Sequence, residues 1–349
     1  MDDQATEVHI PAVVEPTPHR EPSIPEGASV PSDEEGWKKV RELALRQLNR
    51  FMSYEAKVLK GDDPDAVHDM RVASRRLQQM LDLLYPKPRA QELRRLRRQI
   101  RRCRRVLGDV RNCDVLLEHV ERSLRRKRSA RREAWTAVQH YLLLRRSESF
   151  LRAMRRFGKI NLAVFYVNLK EFMAQDNAHP HSAEHGHHGS PAARPAFSNH
   201  LTHVLQSVWT AFEDQVTLSQ GDSRPAVIHG ARIATKRVRY LVEVFHEFDV
   251  AGSAEALAWL RELQQHLGDW HDLEVLEQMM IGMVARPAFL REHLPLAMEV
   301  ERLTLRNREN KGGFEEKYFR MSRESLEMRR LKDWVSYLLA SPSAAFAKA

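Results

Sequence analysis

The sequence predicts an all-α fold made of a tandem duplication, one helical bundle following another. Three observations lead there. Apolar residues recur at three- and four-residue steps over most of the chain. Turn formers are sparse, with 14 glycines in 349 residues, and aromatics make up only 7%; sheet sandwiches and glycine-rich nucleotide-binding folds need turn residues far more often. Two segments of the first half also reappear in the second at nearly one offset. Val67–Leu77 aligns with Ile228–Val238 at 161 residues, and Leu107–Leu116 aligns with Leu267–Leu276 at 160. Two matches in register point to a repeated unit.

The elements follow in order. Residues 1–36 hold nine acidic residues, the single basic Arg20, and prolines at 11, 16, 18, 22, 25 and 31. That composition offers little apolar area against chain entropy and predicts a disordered acidic tail. From Trp37 a helical pattern begins, with Val40, Leu43, Leu45, Leu48, Phe51, Met52 and Leu59 as its apolar positions. Gly61-Asp62-Asp63-Pro64 reads as a stop and restart, with Asp63 as N-cap and Pro64 at the first helical position. A second helix runs to about Tyr85 and a third from about Arg89 to Leu107, with Gly108 as its C-cap. A fourth starts near Asn112, and Arg- and Leu-rich helices complete a first bundle over 37–174. Residues 175–197 are polar and carry His179, His181, His185, His187 and His188, and read as a linker. Helical periodicity returns near Phe197 and predicts a second bundle over 198–340, interrupted at Gly221-Asp222, Gly252, Gly268 and Gly312-Gly313. A frayed tail, 341–349, ends the chain.

The net charge of +9 is unevenly spread: −8 over residues 1–36, +19 over 37–176 and −2 over 177–349. A block of fixed cations of that size suits a polyanion, whose counterions it releases. The two cysteines, Cys103 and Cys113, are too few for a disulfide framework or a zinc cluster. The histidines of the linker lack thiols or a carboxylate at fixed spacing, so no metal site and no cofactor are expected. No apolar run approaches the ~18 residues that span a bilayer, and the acidic start MDDQATEV has no signal-peptide core. The expectation is a cytoplasmic protein.

The first repeat also has a face. At ~100° per residue, with His68 at zero, Arg71 lies at ~300° and Arg75 at ~340°, while Met70, Ala73, Leu77, Met80, Leu81 and Leu84 gather near 180°. In the copy, His229, Arg232 and Lys236 form the same stripe, which Arg239 extends; Arg76 and Arg237 flank it. Like charges at these spacings repel, and a bound anion is the economical compensation. The third predicted helix adds an apolar stripe of Leu93, Leu96, Ile100, Cys103 and Leu107 with arginines over the rest, of which Arg98, Arg101 and Arg105 are candidate phosphate contacts. A guanidinium holds phosphate oxygens two at a time. The corresponding second-half segment has only Arg261, so the binding surface should be lopsided.

With HDMRVASRRL and HGARIATKRVRY, with LGDVRNCDV and LGDWHDLEV, and with the duplication, the sequence resembles the CHAD family, the conserved histidine α-helical domain, over about residues 37–340. The resemblance implies two four-helix bundles related by a pseudo-twofold axis, with a central basic groove that binds inorganic polyphosphate. It implies association with polyphosphate or storage granules for some members. Position by position, the family's motif residues match His68, Arg71, Arg75 and Arg76, then His229, Arg232, Lys236 and Arg237. The Arg or His that follows each Leu-Gly-Asp turn, two residues after its Asp, matches Arg111 and His271. No Glu-x-Glu-x-Lys strand motif of the triphosphate-tunnel enzymes, a domain fused to some members, is present.

The function expected is therefore a non-catalytic polyphosphate-binding module. A nucleic-acid backbone binder is the alternative, although few aromatics interleave with the arginines to stack bases. A metal-dependent phosphohydrolase is disfavoured by the repeat itself: Asp69 aligns with Gly230 and His271 with Arg111, and metal ligands do not exchange freely with cations. His68 and His229 are either anion donors that strengthen as pH falls toward ~6.5 or neutral anchors between helices.

Overall fold

A computed structural model describes residues 33–86, 90–125, 131–178 and 196–342. Among these residues the chain is all-α, with thirteen helices and no strand. The expected tail before residue 33, most of the linker with its five histidines, and the last seven residues lie outside the described residues.

Helix α1 (Asp33–Ser53) starts four residues ahead of the expected Trp37. Asp33, Glu34 and Glu35 occupy its first turn, where carboxylates complement the helix dipole. Gly36 permits a close approach there, since a Cβ on it would fall 2.3 Å from Phe197 Cδ1. A short α2 (Glu55–Lys60) closes on left-handed Gly61 (φ 77°). It leaves Leu59 49% exposed, so that residue is not part of the core. Helix α3 (Pro64–Leu84) begins as expected: Asp63 Oδ1 accepts from the amides of Asp65 (2.9 Å) and Ala66 (3.1 Å), with Pro64 at the first position. Its six predicted apolar residues are all buried.

The next boundaries depart from expectation. Helix α4 (Gln91–Val106) ends at Leu107, and Gly108 opens α5 (Gly108–Arg125) without a left-handed cap. In the second half, α10 (Ser253–Val284) runs unbroken through Gly268, and α12 (Leu294–Glu324) through Gly312-Gly313. A helical glycine costs only ~1 kcal/mol against alanine, and buried Trp270, Leu273 and Tyr318 beside these positions outweigh it. The remaining helices are α6 (Arg132–Phe157), α7 (Leu162–Ala178), α8 (Phe197–Gly221), α9 (Pro225–Glu247), α11 (Pro287–Glu292) and α13 (Leu326–Ala340).

The two halves use their helices in the same order. Helix α1 packs on α3 as α8 packs on α9; α3 meets α4 as α9 meets α10; α5 lies against α6 as α10 lies against α12; and α7 touches α1 as α13 touches α8. The hydrophobic core does not divide at the linker. One cluster joins α1, α3, α4 and α7 to α8, α9, α13 and the first part of α10. A second joins α5 and α6 of the first half, through Leu116, Val120, Val138 and Leu142, to Leu276, Met280, Val300 and Leu303 of the second. Burying these side chains, each worth ~1.5–3 kcal/mol, fixes the halves against each other. That packing sets α3 beside α9.

Candidate polyanion site

The seam between α3 and α9 is polar. Arg75 Nη1 donates to Tyr240 Oη (3.1 Å), Gln79 Nε2 donates to the Arg237 carbonyl (3.5 Å), and Arg76 holds Glu243 with two hydrogen bonds of 3.1 and 3.0 Å. Above this seam, with α4 as a third wall, lies a cavity of about 450 Å³. Its basic lining is Arg75 from α3, Arg101 and Arg104 from α4, and Arg232, Lys236 and Arg237 from α9, with His229 beside them; its carboxylate is Asp82.

Three buried nitrogens at this locus have no hydrogen-bond partner: Arg104 Nη1, Arg232 Nε and His271 Nδ1. The two guanidinium nitrogens are buried donors without an acceptor, which cost ~1–3 kcal/mol each, and the imidazole nitrogen donates or accepts according to its tautomer. The cations also lie close enough to act on one another. Burial first, then Arg75, Arg104, Arg111 and Arg232, lower the Arg71 guanidinium to about 10. Arg71 donates to the Arg104 carbonyl, which ties α3 to α4. Burial, followed by Arg232 and Arg75, lowers the Lys236 ammonium to about 6. Burial and the Arg75 and Arg101 charges also lower Arg104. Arg232 is lowered chiefly by burial, against the pull of Asp272.

The histidines sit in the same field. His271 of α10 lies 5.0 Å from His229, ring centre to ring centre. Burial and the neighbouring Arg232, His229 and Lys236 push His271 down to about 3. His229 is lowered by burial, then Arg232 and Lys236. His68 is lowered by burial and Arg111 against the opposing Asp69 and Asp65. All three are therefore neutral at pH 7, and each offers one N–H rather than a charge. Asp272 is raised to about 6 by burial, the Arg232 charge notwithstanding. Asp82 is committed elsewhere: it accepts from Gln78 Nε2 (2.8 Å) and pairs with Arg97 Nη1 at 3.3 Å.

The fourteen expected residues therefore separate. Arg75, Arg101, Arg232, Lys236, Arg237 and His229 line the cavity, while Arg71 and His271 do not line it but adjoin its residues, Arg71 acting on Lys236 and His271 lying against His229. His68 and Arg111 adjoin Arg71 and do not line the cavity. Arg76 and Arg239 are engaged otherwise. Both bind Glu243, and Arg239 Nε also donates to Gln264 Oε1 at 2.6 Å, so they neutralise a carboxylate inside the fold. Arg98 and Arg105 are exposed on α4 and do not line the cavity.

Arg104 is the residue the sequence argument passed over. Measured around α4 from Ile100, Arg104 lies at ~40°, Arg97 at ~60° and Arg101 at ~100°, against ~140° for Arg105 and ~160° for Arg98. Arginines bordering the apolar stripe reach inward along their stems, and that angle was the available signal. Arg97, the other border residue, is buried and donates to the Leu81 and Tyr85 carbonyls, capping the C-terminus of α3.

No curated protein matches the chain. Among solved structures it is similar to the CHAD domain of the plant Ricinus communis, at 19% identity and a TM-score of 0.57, over 86% of this chain and 91% of that one. It is also similar to PptA from Streptomyces chartreusis, at 13% identity and a TM-score of 0.55, over 84% of this chain and all of that one. Both likenesses are of fold. The family model described as the CHAD domain matches residues 42–280, well over half of the sequence, and on that match the chain belongs to the CHAD family.

Proposed function

We propose that the cavity between α3, α4 and α9 binds inorganic polyphosphate and performs no chemistry on it. The observation that carries this reading is the set of buried, partnerless nitrogens on Arg104, Arg232 and His271 within a cluster of basic side chains. A folded chain tolerates such a cluster when an anion supplies the missing acceptors, because a charge-assisted hydrogen bond to phosphate is about twice as strong as a neutral one. A flexible chain of closely spaced phosphates fits several donors at once, where a single phosphate satisfies few. Binding would place the protein on polyphosphate, and on polyphosphate granules where a cell forms them in its cytoplasm.

Nucleic acid has the same backbone charge but needs stacking platforms for its bases. The aromatic residue of the cavity, Tyr240, is buried, and its ring carries the Arg239 guanidinium at 4.3 Å and that of Arg75 at 5.9 Å. That supports polyphosphate over a base-containing polymer. The test is competition between long-chain polyphosphate and single-stranded RNA or DNA at equal phosphate concentration. Polyphosphate should displace the nucleic acid and be recovered at its original chain length. Displacement in the other direction would overturn the ligand, and release of phosphate would overturn the non-catalytic assignment.

A further inference from the structure

Arg94, Arg98, Arg101 and Arg105 are spaced i, i+4, i+7 and i+11 on α4. Around the helix, from Ile100, they lie at ~120°, ~160°, ~100° and ~140°. They form one row about 16 Å long at 1.5 Å per residue. All four side chains are exposed. Among the described residues none of them makes an ion pair, and Glu92 is the helix's one carboxylate. Like charges at i, i+4 cost helix stability, so the row is poor design for an isolated surface helix. Elsewhere on this surface, exposed arginines do find acids: Arg125 pairs with Glu121 at 3.6 Å and Arg152 with Glu148 at 3.7 Å. The second half supplies no equivalent row, because the corresponding part of α10 has Arg261 alone.

The row is continuous with the cavity. Arg101 belongs to both, as a lining residue and as the third member of the row. Arg104, one turn along on the inner side, carries the partnerless Nη1. We infer that the outer face of α4 is a second, run-on site for phosphate chains: a chain too long for the cavity leaves it past Arg101 and lies along Arg94, Arg98 and Arg105. The inference rests on the polyphosphate reading and adds to it a dependence on chain length. A short chain is held by the cavity alone, and a long one gains about three further guanidinium contacts.

The test uses the full chain and a triple variant, Arg94→Gln, Arg98→Gln and Arg105→Gln, which keeps good helix formers on α4 and leaves the cavity lining intact. The probes are tripolyphosphate and a long-chain polyphosphate. The triple variant should bind the long chain about 10- to 30-fold more weakly at ~50 mM salt, with a salt slope lowered by about 2, since each neutralised phosphate of a single strand contributes ~0.7. Its affinity for tripolyphosphate should stay within about twofold of the unaltered protein. A control with the same charge loss, Arg155→Gln, Arg156→Gln and Lys159→Gln on exposed positions at and just beyond the end of α6, should change neither. An unchanged long-chain affinity and slope, a parallel loss for tripolyphosphate, or an equal loss in the control would overturn the run-on site while leaving the cavity reading standing. Failure of the unaltered protein to bind either probe would overturn both.

Discussion

Glu243 of α9 receives Arg76 of α3 through two hydrogen bonds, Nε to Oε2 at 3.1 Å and Nη2 to Oε1 at 3.0 Å, across the seam between the halves of the chain. Arg239, four residues earlier on α9, donates to the same carboxylate. One acid thus engages two arginines that the repeated basic motif alone would count as ligands. It leaves the unpaired cations on the other side of Tyr240, a residue that borders this ion cluster and the cavity alike.

Glu243→Gln should therefore be a stability variant. Removing one partner of a largely buried pair strands the others, at ~2–4 kcal/mol. The urea midpoint should fall accordingly with little change in slope. An unchanged midpoint would mean that the Arg76–Glu243–Arg239 cluster does not hold the halves together.

Lys236 makes the opposite prediction. Its folded value of about 6 lies below the ordinary 10.5. Between those limits the unfolded chain binds a proton that the folded chain does not, so this group makes stability rise with pH over that window. Lys236→Met should stabilise the free protein at pH 7 by ~1–3 kcal/mol and flatten the rise in melting temperature between pH 6.5 and 9. Equal pH profiles for the variant and the unaltered protein would show that Lys236 is not strained by its neighbours.

Polyphosphate binding should carry the mirror image of that strain. A bound anion favours the ammonium, so binding takes up a proton at Lys236. Asp272, raised to about 6, also sheds its charge as pH falls. Both changes make the cavity more positive, and affinity should increase from pH 8 to pH 6. His271, pushed down to about 3, stays neutral over this range, and His229, lowered by burial and its cationic neighbours, is the competing carrier that a variant must separate. Lys236→Arg, charged throughout, should bind with a flatter profile, and the change should survive in His229→Ala. Calorimetry in two buffers of different ionisation enthalpy reads the proton directly. Uptake lost in His229→Ala would return the role to histidine, and no uptake would show that Lys236 is already charged in the free protein.

Much of this was legible beforehand, for reasons visible in particular residues. The apolar face of α3 and the Leu93–Leu107 stripe of α4 were readable because helical period alone decides which side is buried. The Asp63-Pro64 start was readable because its chemistry is local. Gly268 and Gly312-Gly313 were not, since only the packing around them shows that the helices continue. Glu243 lies beyond the matched segments, and its part depends on how α3 and α9 register across the seam. The lowered Lys236 depends on burial beside Arg232 and Arg75, which lie on two different helices.

The most direct measurement of the central claim is a polyphosphate titration of the unaltered protein and of Arg104→Gln/Arg232→Gln across several salt concentrations, with urea melts of both. If the partnerless donors are the anion site, the double variant loses at least tenfold in affinity, worth ~1.4 kcal/mol. Its salt slope should flatten by more than 1, and it should melt no earlier than the unaltered protein because two strained cations are gone. Undiminished binding by a folded double variant would contradict the account, and so would lost binding accompanied by lost stability.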